Sequence, residues 1–213
     1  VEFLTGYQDA AYAARYRAMV EKVRAAEAKA LPGKEGLTET VARNLFKLMA
    51  YKDEYEVARL YSDGSFLRQV DQTFEGQNLR FEFHLAPPLL ARKDPNTGVP
   101  RKITFGPWMM KAFGLLAKFK GLRGTKLDIF GYTHERRTER QLITDYEAML
   151  EEIVAKLSPE NHITALGLAA IPAKIRGFGH VKERHLEAAK AEEAALLERF
   201  RNPPKTPVAE AAE

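Results

Sequence analysis

Basic side chains are the residues of this chain whose type and spacing most readily suggest a chemical role. Four of them, Arg92, Lys93, Arg101 and Lys102, flank a proline-rich stretch. From Arg92 to Lys126 there are nine basic residues and one acid, a net charge of +8, so the rest of the chain sums to −4. A local field of one sign favours an anionic partner, although a solvated surface would show the same pattern.

A second basic cluster lies around two glycines near the C-terminal end. Gly177 and Gly179 flank Phe178, which lets the backbone approach another surface closely. Arg176, His180 and Lys182 surround this turn and are predicted to bind a partner or an anion. A sharp turn between helices, with Phe178 in the core, explains the same residues, and the two interpretations are compatible.

Most catalytic and metal chemistry lacks a motif in this sequence. The chain has no cysteine, which excludes disulfides, thiolate catalysis and cysteine-ligated zinc or iron–sulfur clusters on this chain. None of the five histidines lies three or four residues from another, the spacing of helical metal ligands. Phosphate-binding glycine loops and a nucleophile elbow are also missing. The sequence therefore predicts no catalytic residue and no metal ligand.

Nucleic-acid binding is the remaining general alternative. Trp108, Phe113, Phe119 and Phe130 are interleaved with lysines, as in surfaces that stack bases. Their spacing is also helical, which is more typical of core positions. A free-standing basic helical module that binds nucleic acid is therefore kept as an alternative function, and nucleic acid is not the expected partner.

The apolar spacing predicts a mainly α-helical chain with a small β insert. Residues 79–85 alternate apolar and polar side chains, which predicts a strand, and residues 103–105 form a candidate partner strand. No βαβ rhythm is present, so a doubly wound sheet is not expected. The predicted helices cover residues 6–30, 38–61, a short stretch ending at 74, a long element from 106, 133–157, one that starts at Ser158-Pro159, and 180–200.

These elements predict one helical domain over residues 1–200, with the loop and β insert at about 75–106. Residues 201–213 have little to bury and are predicted to form a flexible, disordered tail. No apolar run approaches the ~20 residues of a membrane span, so no membrane partner is expected. The absence of cysteine fits the expected cytoplasmic location. The start at Val1, without an initiator methionine, suggests a cut inside a longer polypeptide.

Five segments, in order along the chain, resemble the C-terminal region of fused indolepyruvate ferredoxin oxidoreductases, which belong to the 2-oxoacid:ferredoxin oxidoreductases. The segments are 1–16, 41–61, 83–92, 105–108 and 176–184. The resemblance covers nearly the whole chain up to Arg201.

The resemblance implies an accessory domain of an enzyme that converts aryl pyruvates to acyl-CoA and passes electrons to ferredoxin. Thiamine diphosphate, magnesium and iron–sulfur clusters are then expected on other domains, and no cofactor is expected on this chain. The chain would serve assembly or docking rather than catalysis. Its expected partners are other domains or subunits of the enzyme and ferredoxin, with CoA as a further anionic candidate for the basic segment.

Overall fold

A computed structural model of the chain describes residues 1–74, 80–86, 101–177 and 179–203. The helices are α1 (Glu2–Tyr7), α2 (Ala10–Ala30), α3 (Gly36–Met49), α4 (Glu54–Ser62), α5 (Ser65–Thr73), α6 (Met109–Ala117), α7 (His134–Lys156), α8 (His162–Ala170) and α9 (Gly179–Arg201). Two short strands, β1 (Phe83–Leu85) and β2 (Ile103–Phe105), pair antiparallel. The predicted class, mainly α-helical with a small β insert, is confirmed.

The chain divides into two compact units. Unit 1 combines residues 1–51 with the chain from Thr138 onward, and unit 2 comprises Lys52–Arg137, which includes both strands. The prediction of a single domain over residues 1–200 stays a prediction. The predicted tail begins with Arg201, the last residue of α9, and from residue 204 it lies outside the described residues.

Unit 1 is built on a core of aliphatic side chains and a few tyrosines. The apolar spacing places Leu142, Tyr146, Met149, Ile153 and Leu157 on one stripe of the helix predicted over 133–157. The first four are buried, at most 6% exposed, and Leu157, just after the end of α7, is half-buried. Side chains from α2, α3, α8 and α9 complete the same core. They include Met19, Val23, Leu37, Val41, Leu45, Ala165, Leu168, Ala189 and Phe200.

A buried carboxylate fixes the start of α3 in unit 1. Glu27, near the end of α2, accepts hydrogen bonds from the amides of Leu37 and Thr38, both at 2.8 Å, and from the Thr38 hydroxyl at 2.7 Å. Its side chain also contacts Nε2 of His162 on α8 at 3.0 Å. A carboxylate at a helix N-terminus satisfies amides that have no partner within the helix, so Glu27 joins three helices.

Unit 2 has an aromatic core. Phe113 on α6 stacks on Tyr61 of α4 at 5.2 Å between ring centroids, and Phe83 of β1 meets both rings edge to face. Phe66 and Phe81 extend this cluster. The short strands therefore serve to bring rings from the β insert against α4 and α6.

Several predicted helix boundaries are wrong, and two of the errors have a clear local cause. The helix predicted over 38–61 is two helices, because Asp53 caps the start of α4 by accepting a hydrogen bond from the amide of Glu56. Ser158-Pro159 does not open a helix. Asn161 accepts from the amide of Ser158 and donates to the carbonyl of Lys156, which holds a turn, and α8 begins only at His162.

Candidate partner-binding surface

One face of α6 and its flanking residues presents large apolar side chains to solvent. Trp108 and Leu115 are each 59% exposed, and Phe119 is 48% exposed. Lys111 and Lys118 lie on the same face of the helix and are also exposed. We call these five residues the α6 outer face. The opposite side of the helix buries Met109 and Phe113 in the aromatic core. Both sides of the helix therefore carry large apolar side chains.

Four exposed lysines of this region have no acidic partner in the described part of the chain. Lys102, Lys111, Lys118 and Lys126 are exposed and make no ion pair with any described residue. Residues 101–126 contain no acid at all. The positive field predicted from the sequence is therefore carried by side chains that reach solvent.

A loop next in the chain displays further apolar groups. Leu127 is 70% exposed and Ile129 is 57% exposed, while Asp128 between them is 3% exposed. The carboxylate of Asp128 accepts hydrogen bonds from the amides of Gly124, Phe130 and Gly131. The buried aspartate thus holds the loop in a shape that keeps its two aliphatic neighbours in water.

A buried ion pair anchors this loop to the start of α4. Arg123 donates to both carboxylate oxygens of Asp53, at 2.5 Å and 2.8 Å, and both side chains are at most 4% exposed. The guanidinium also lies 5.7 Å from the ring centroid of Tyr55, whose hydroxyl donates to Asp128. Burial and the nearby Asp128 carboxylate raise the pKa of Tyr55 to about 12, so this hydroxyl stays protonated as a donor. Arg123, counted among the basic residues of the segment, is therefore unavailable to a partner.

The predicted contact residues of the basic segment fall into two groups. Arg101 and Lys102 lie just before β2 and are exposed in unit 2. Arg92 and Lys93 lie outside the described residues. The predicted role of all four stays a prediction.

The predicted contact residues around the glycine turn belong to unit 1. Arg176 donates to the carbonyl of Ala173, and Lys182 donates to the buried carboxylate of Glu139. His180 is exposed. Arg176 and Lys182 thus make contacts within unit 1, whereas His180 faces solvent. Phe178, which was predicted to fill the core or to bind a partner, lies outside the described residues.

The turn itself depends on a lysine that the sequence analysis did not single out. Lys47 on α3 donates to the carbonyls of Pro172 and Ile175, at 2.5 Å and 2.9 Å. Burial lowers the pKa of Lys47, and the nearby charges of Arg176 and Lys182 lower it further. Gly177 has a φ of +92°, and a Cβ there would lie 2.9 Å from Val181 Cγ1, so this position requires glycine.

The described residues support neither a metal site nor a membrane-spanning helix. No group of three or more histidine, aspartate or glutamate side chains in the described ranges could hold a metal ion. None of the helices in that part of the chain combines the length and the apolar character that crossing a membrane requires.

Comparison with known proteins places the chain in a family. Residues 1–195 match the model of a family of unknown function, DUF6537. The chain belongs to this family. Neither a curated protein nor a solved structure matches it. Membership in DUF6537 therefore shows which proteins the chain is related to but assigns no function to it.

The exposed apolar residues of the loop are what sequence reasoning missed. Leu127 and Ile129 lie in a stretch bounded by Gly124 and Gly131 that has no helical periodicity, and Tyr132 follows it directly. Apolar residues without a period in a glycine-bounded loop were a usable signal of surface display. Of the four aromatics interleaved with lysines, Phe113 is buried as core spacing predicts, whereas Trp108 and Phe119 are not.

Proposed function

We propose that the chain is an accessory interaction domain of a 2-oxoacid:ferredoxin oxidoreductase of the indolepyruvate type, and that it serves docking or assembly rather than catalysis. The resemblance of five ordered segments supports the enzyme family. The observation that carries the docking role is the α6 outer face, where exposed Trp108, Leu115 and Phe119 lie beside exposed Lys111 and Lys118.

The composition of this face suits a protein interface. Interfaces are enriched in aromatic residues at their centre and carry charged groups at the rim. Exposed large apolar patches on soluble proteins commonly mark interaction sites, because leaving them in water is unfavourable. Rim lysines then raise the rate of encounter with a partner of opposite charge.

The partner we propose is an acidic protein surface, either ferredoxin or another subunit of the enzyme. Ferredoxins are typically acidic, and the α6 outer face contributes cations with no described acidic neighbour. The phosphates of CoA would engage the cations but give no role to the exposed apolar side chains. An acidic protein uses both.

Charge reversal in the full enzyme tests this proposal. The double variant Lys111→Glu/Lys118→Glu should raise the Michaelis constant for ferredoxin or weaken assembly, more strongly at low salt, because exposed charges are screened with a Debye length of about 8 Å at physiological ionic strength. A second variant reverses Arg92, Lys93, Arg101 and Lys102 and should act in the same direction.

A matched control uses two exposed lysines of unit 1. Lys29→Glu/Lys34→Glu changes the net charge equally and should leave both quantities unchanged. If the unit 1 and unit 2 variants behave alike at every salt concentration, the α6 outer face is only a solvated surface.

Nucleic-acid binding is the second candidate, and the exposure of Trp108 and Phe119 beside lysines is the observation that favours it. A single-stranded oligonucleotide should then bind the isolated chain with an affinity that falls steeply as salt rises. Trp108→Ala should weaken that binding. Failure of generic DNA and RNA to bind at low salt removes this candidate and leaves the protein partner.

A further inference from the structure

A pocket of about 310 Å³ lies within unit 2, away from the groups that define the α6 outer face. Its walls come from three elements and one loop, and they are almost entirely apolar. The side chains that define them are Val57 of α4, Leu85 of β1, Met109, Phe113 and Leu116 of α6, and Phe130. This volume is at the lower end of the range of small-molecule sites, which are roughly 300–1,000 Å³.

The walls of the pocket are fixed by the aromatic core. Phe113 is 5% exposed and is held between Tyr61 and Phe83. Phe130 packs edge to face on Tyr55, with 5.4 Å between ring centroids. Because neighbouring rings determine these positions, the pocket exists before any ligand binds, which lowers the entropic cost of binding.

One end of the pocket is charged, and its charges do not cancel. Asp53 is neutralised by Arg123, and Glu54 pairs with Nε and Nη2 of Arg136, both at 3.3 Å. Lys52 also lines the pocket, is exposed, and makes no ion pair with any described residue. Each of the two ion pairs is neutral, so Lys52 leaves a net charge of +1 at this end of the pocket.

We propose that this pocket binds a small amphipathic monoanion, namely a compact apolar carboxylic acid whose carboxylate lies at Lys52 and whose body lies against Phe113 and Phe130. A cation would meet the unpaired charge of Lys52 and be repelled. A neutral apolar molecule would fill the cavity but leave the lysine charge without a partner. Only an anion with an apolar body matches both the walls and the charged end.

Three eight-carbon probes of equal length test the proposal on the full chain. Octanoate, octanol and octylamine have eight carbons each and end in an anionic, a neutral and a cationic group, and their affinities can be measured by ligand-observed NMR. Octanoate should bind more tightly than octanol by about fivefold, the worth of one partly exposed charge pair. Octylamine should bind most weakly.

Two variants separate the walls from the charge. Lys52→Gln, at an exposed position, should bring octanoate close to octanol without changing the fold. Ala112→Phe adds a ring to the α6 wall and should weaken both ligands. Lys34→Gln, at an exposed lysine of unit 1 outside the pocket, is the control and should leave all three affinities unchanged.

The proposal is overturned if octanoate does not bind the wild-type chain, or if its advantage over octanol survives Lys52→Gln. It is also overturned if Ala112→Phe, shown to be folded by circular dichroism, binds octanoate as the wild type does. None of these results bears on the docking role of the α6 outer face, since the probes and the variants address a different site.

Discussion

The two units use charge and apolar surface in opposite ways. In unit 1, acidic side chains on α7 pair with basic ones on α2 and α9. These pairs are Arg15–Glu147, Lys22–Glu151, Lys182–Glu139, Lys190–Asp145 and Arg201–Glu152. In unit 2, the exposed lysines around α6 have no such partners among the described residues.

Exposed apolar side chains are also distributed unequally between the two units. Of the thirteen large apolar residues that the described part of the chain leaves exposed, nine belong to unit 2, although it is the shorter unit. Unit 1 thus pairs many of its charges internally and exposes few large apolar side chains. Unit 2 leaves both kinds of group available, which is what a recognition surface requires and a purely structural unit does not.

The largest effect on stability should come from breaking the buried ion pair of unit 2. Arg123→Met leaves the carboxylate of Asp53 buried without its cation, and removing one partner of such a pair costs about 3–5 kcal/mol. Chemical denaturation followed by the fluorescence of Trp108, the only tryptophan, measures this loss in unit 2.

The matched control for this variant removes both charges. Asp53→Asn/Arg123→Met keeps a side-chain oxygen to cap α4 and should recover a large part of the lost stability. A single variant as stable as the wild type would show that the loop from Gly124 to Tyr132 does not depend on this anchor.

A somewhat smaller loss is expected from the core of unit 1. Ile153→Ala and Leu142→Ala each remove a buried side chain from α7 and should cost about 2–5 kcal/mol. Glu151→Ala on the exposed side of the same helix should change stability by about 0.5 kcal/mol or less. Circular dichroism during denaturation measures all three, and equal small effects would refute the assigned buried face.

Trp108 fluorescence, measured in the same unit 1 variants, tests whether the two units unfold together. If Ile153→Ala shifts the fluorescence transition as much as the circular dichroism transition, the chain unfolds as the single domain predicted from the sequence. Separate transitions would show that the two units unfold independently.

Acid should weaken unit 1 through Glu27. Burial alone would raise the pKa of this carboxyl, but hydrogen bonds from Thr38, His162 and the amide of Leu37 outweigh it and lower the pKa. A carboxyl with a lowered folded-state pKa stabilises the fold above its unfolded pKa, near 4.3, and this stability is lost as pH falls through the folded value.

Glu27→Gln tests this directly. The amide cannot accept all of the hydrogen bonds that the carboxylate accepts, so the variant should lose about 1–3 kcal/mol at neutral pH. Its stability should then fall less steeply than that of the wild type as pH drops below about 4.3. An unchanged acid limb would mean that other carboxyls dominate the acid response.

The sequence was sufficient for elements with strong local signals and insufficient for long-range partners. The buried stripe of α7 and the cap Thr133, which accepts from the amide of Arg136, follow from periodicity and cap chemistry. The burial of Glu27 has no local sequence signal, because its partners are His162 and the start of α3. Arg123 read as part of the basic surface because its partner Asp53 is 70 residues away.

The exposure of the α6 outer face could not be predicted for a related reason. Both sides of α6 are apolar, so periodicity alone does not say which side is covered. The short β insert decides this by bringing Phe83 against Phe113, which leaves Trp108, Leu115 and Phe119 on the other side. A tertiary contact, rather than a local pattern, therefore determines which residues a partner can reach.

The variant with the smallest expected effect on stability also gives the most direct test of the docking role of the α6 outer face. Trp108→Ser/Phe119→Ser removes exposed rings and should change the free energy of unfolding by about 0.5 kcal/mol or less per site. Ile163→Ser is the matched control, because Ile163 is 81% exposed on unit 1.

The deciding measurement is the affinity of these variants for the two proposed partners, the other domains of the proposed oxidoreductase and ferredoxin, by calorimetry at low and physiological salt. We expect Trp108→Ser/Phe119→Ser to weaken binding of one of these partners by about tenfold or more, since aromatic groups at interface centres typically contribute over 1 kcal/mol each. Ile163→Ser should bind as the wild type does. Unchanged affinity in the unit 2 variant, or an equal loss in both variants, would contradict the assignment of recognition to unit 2.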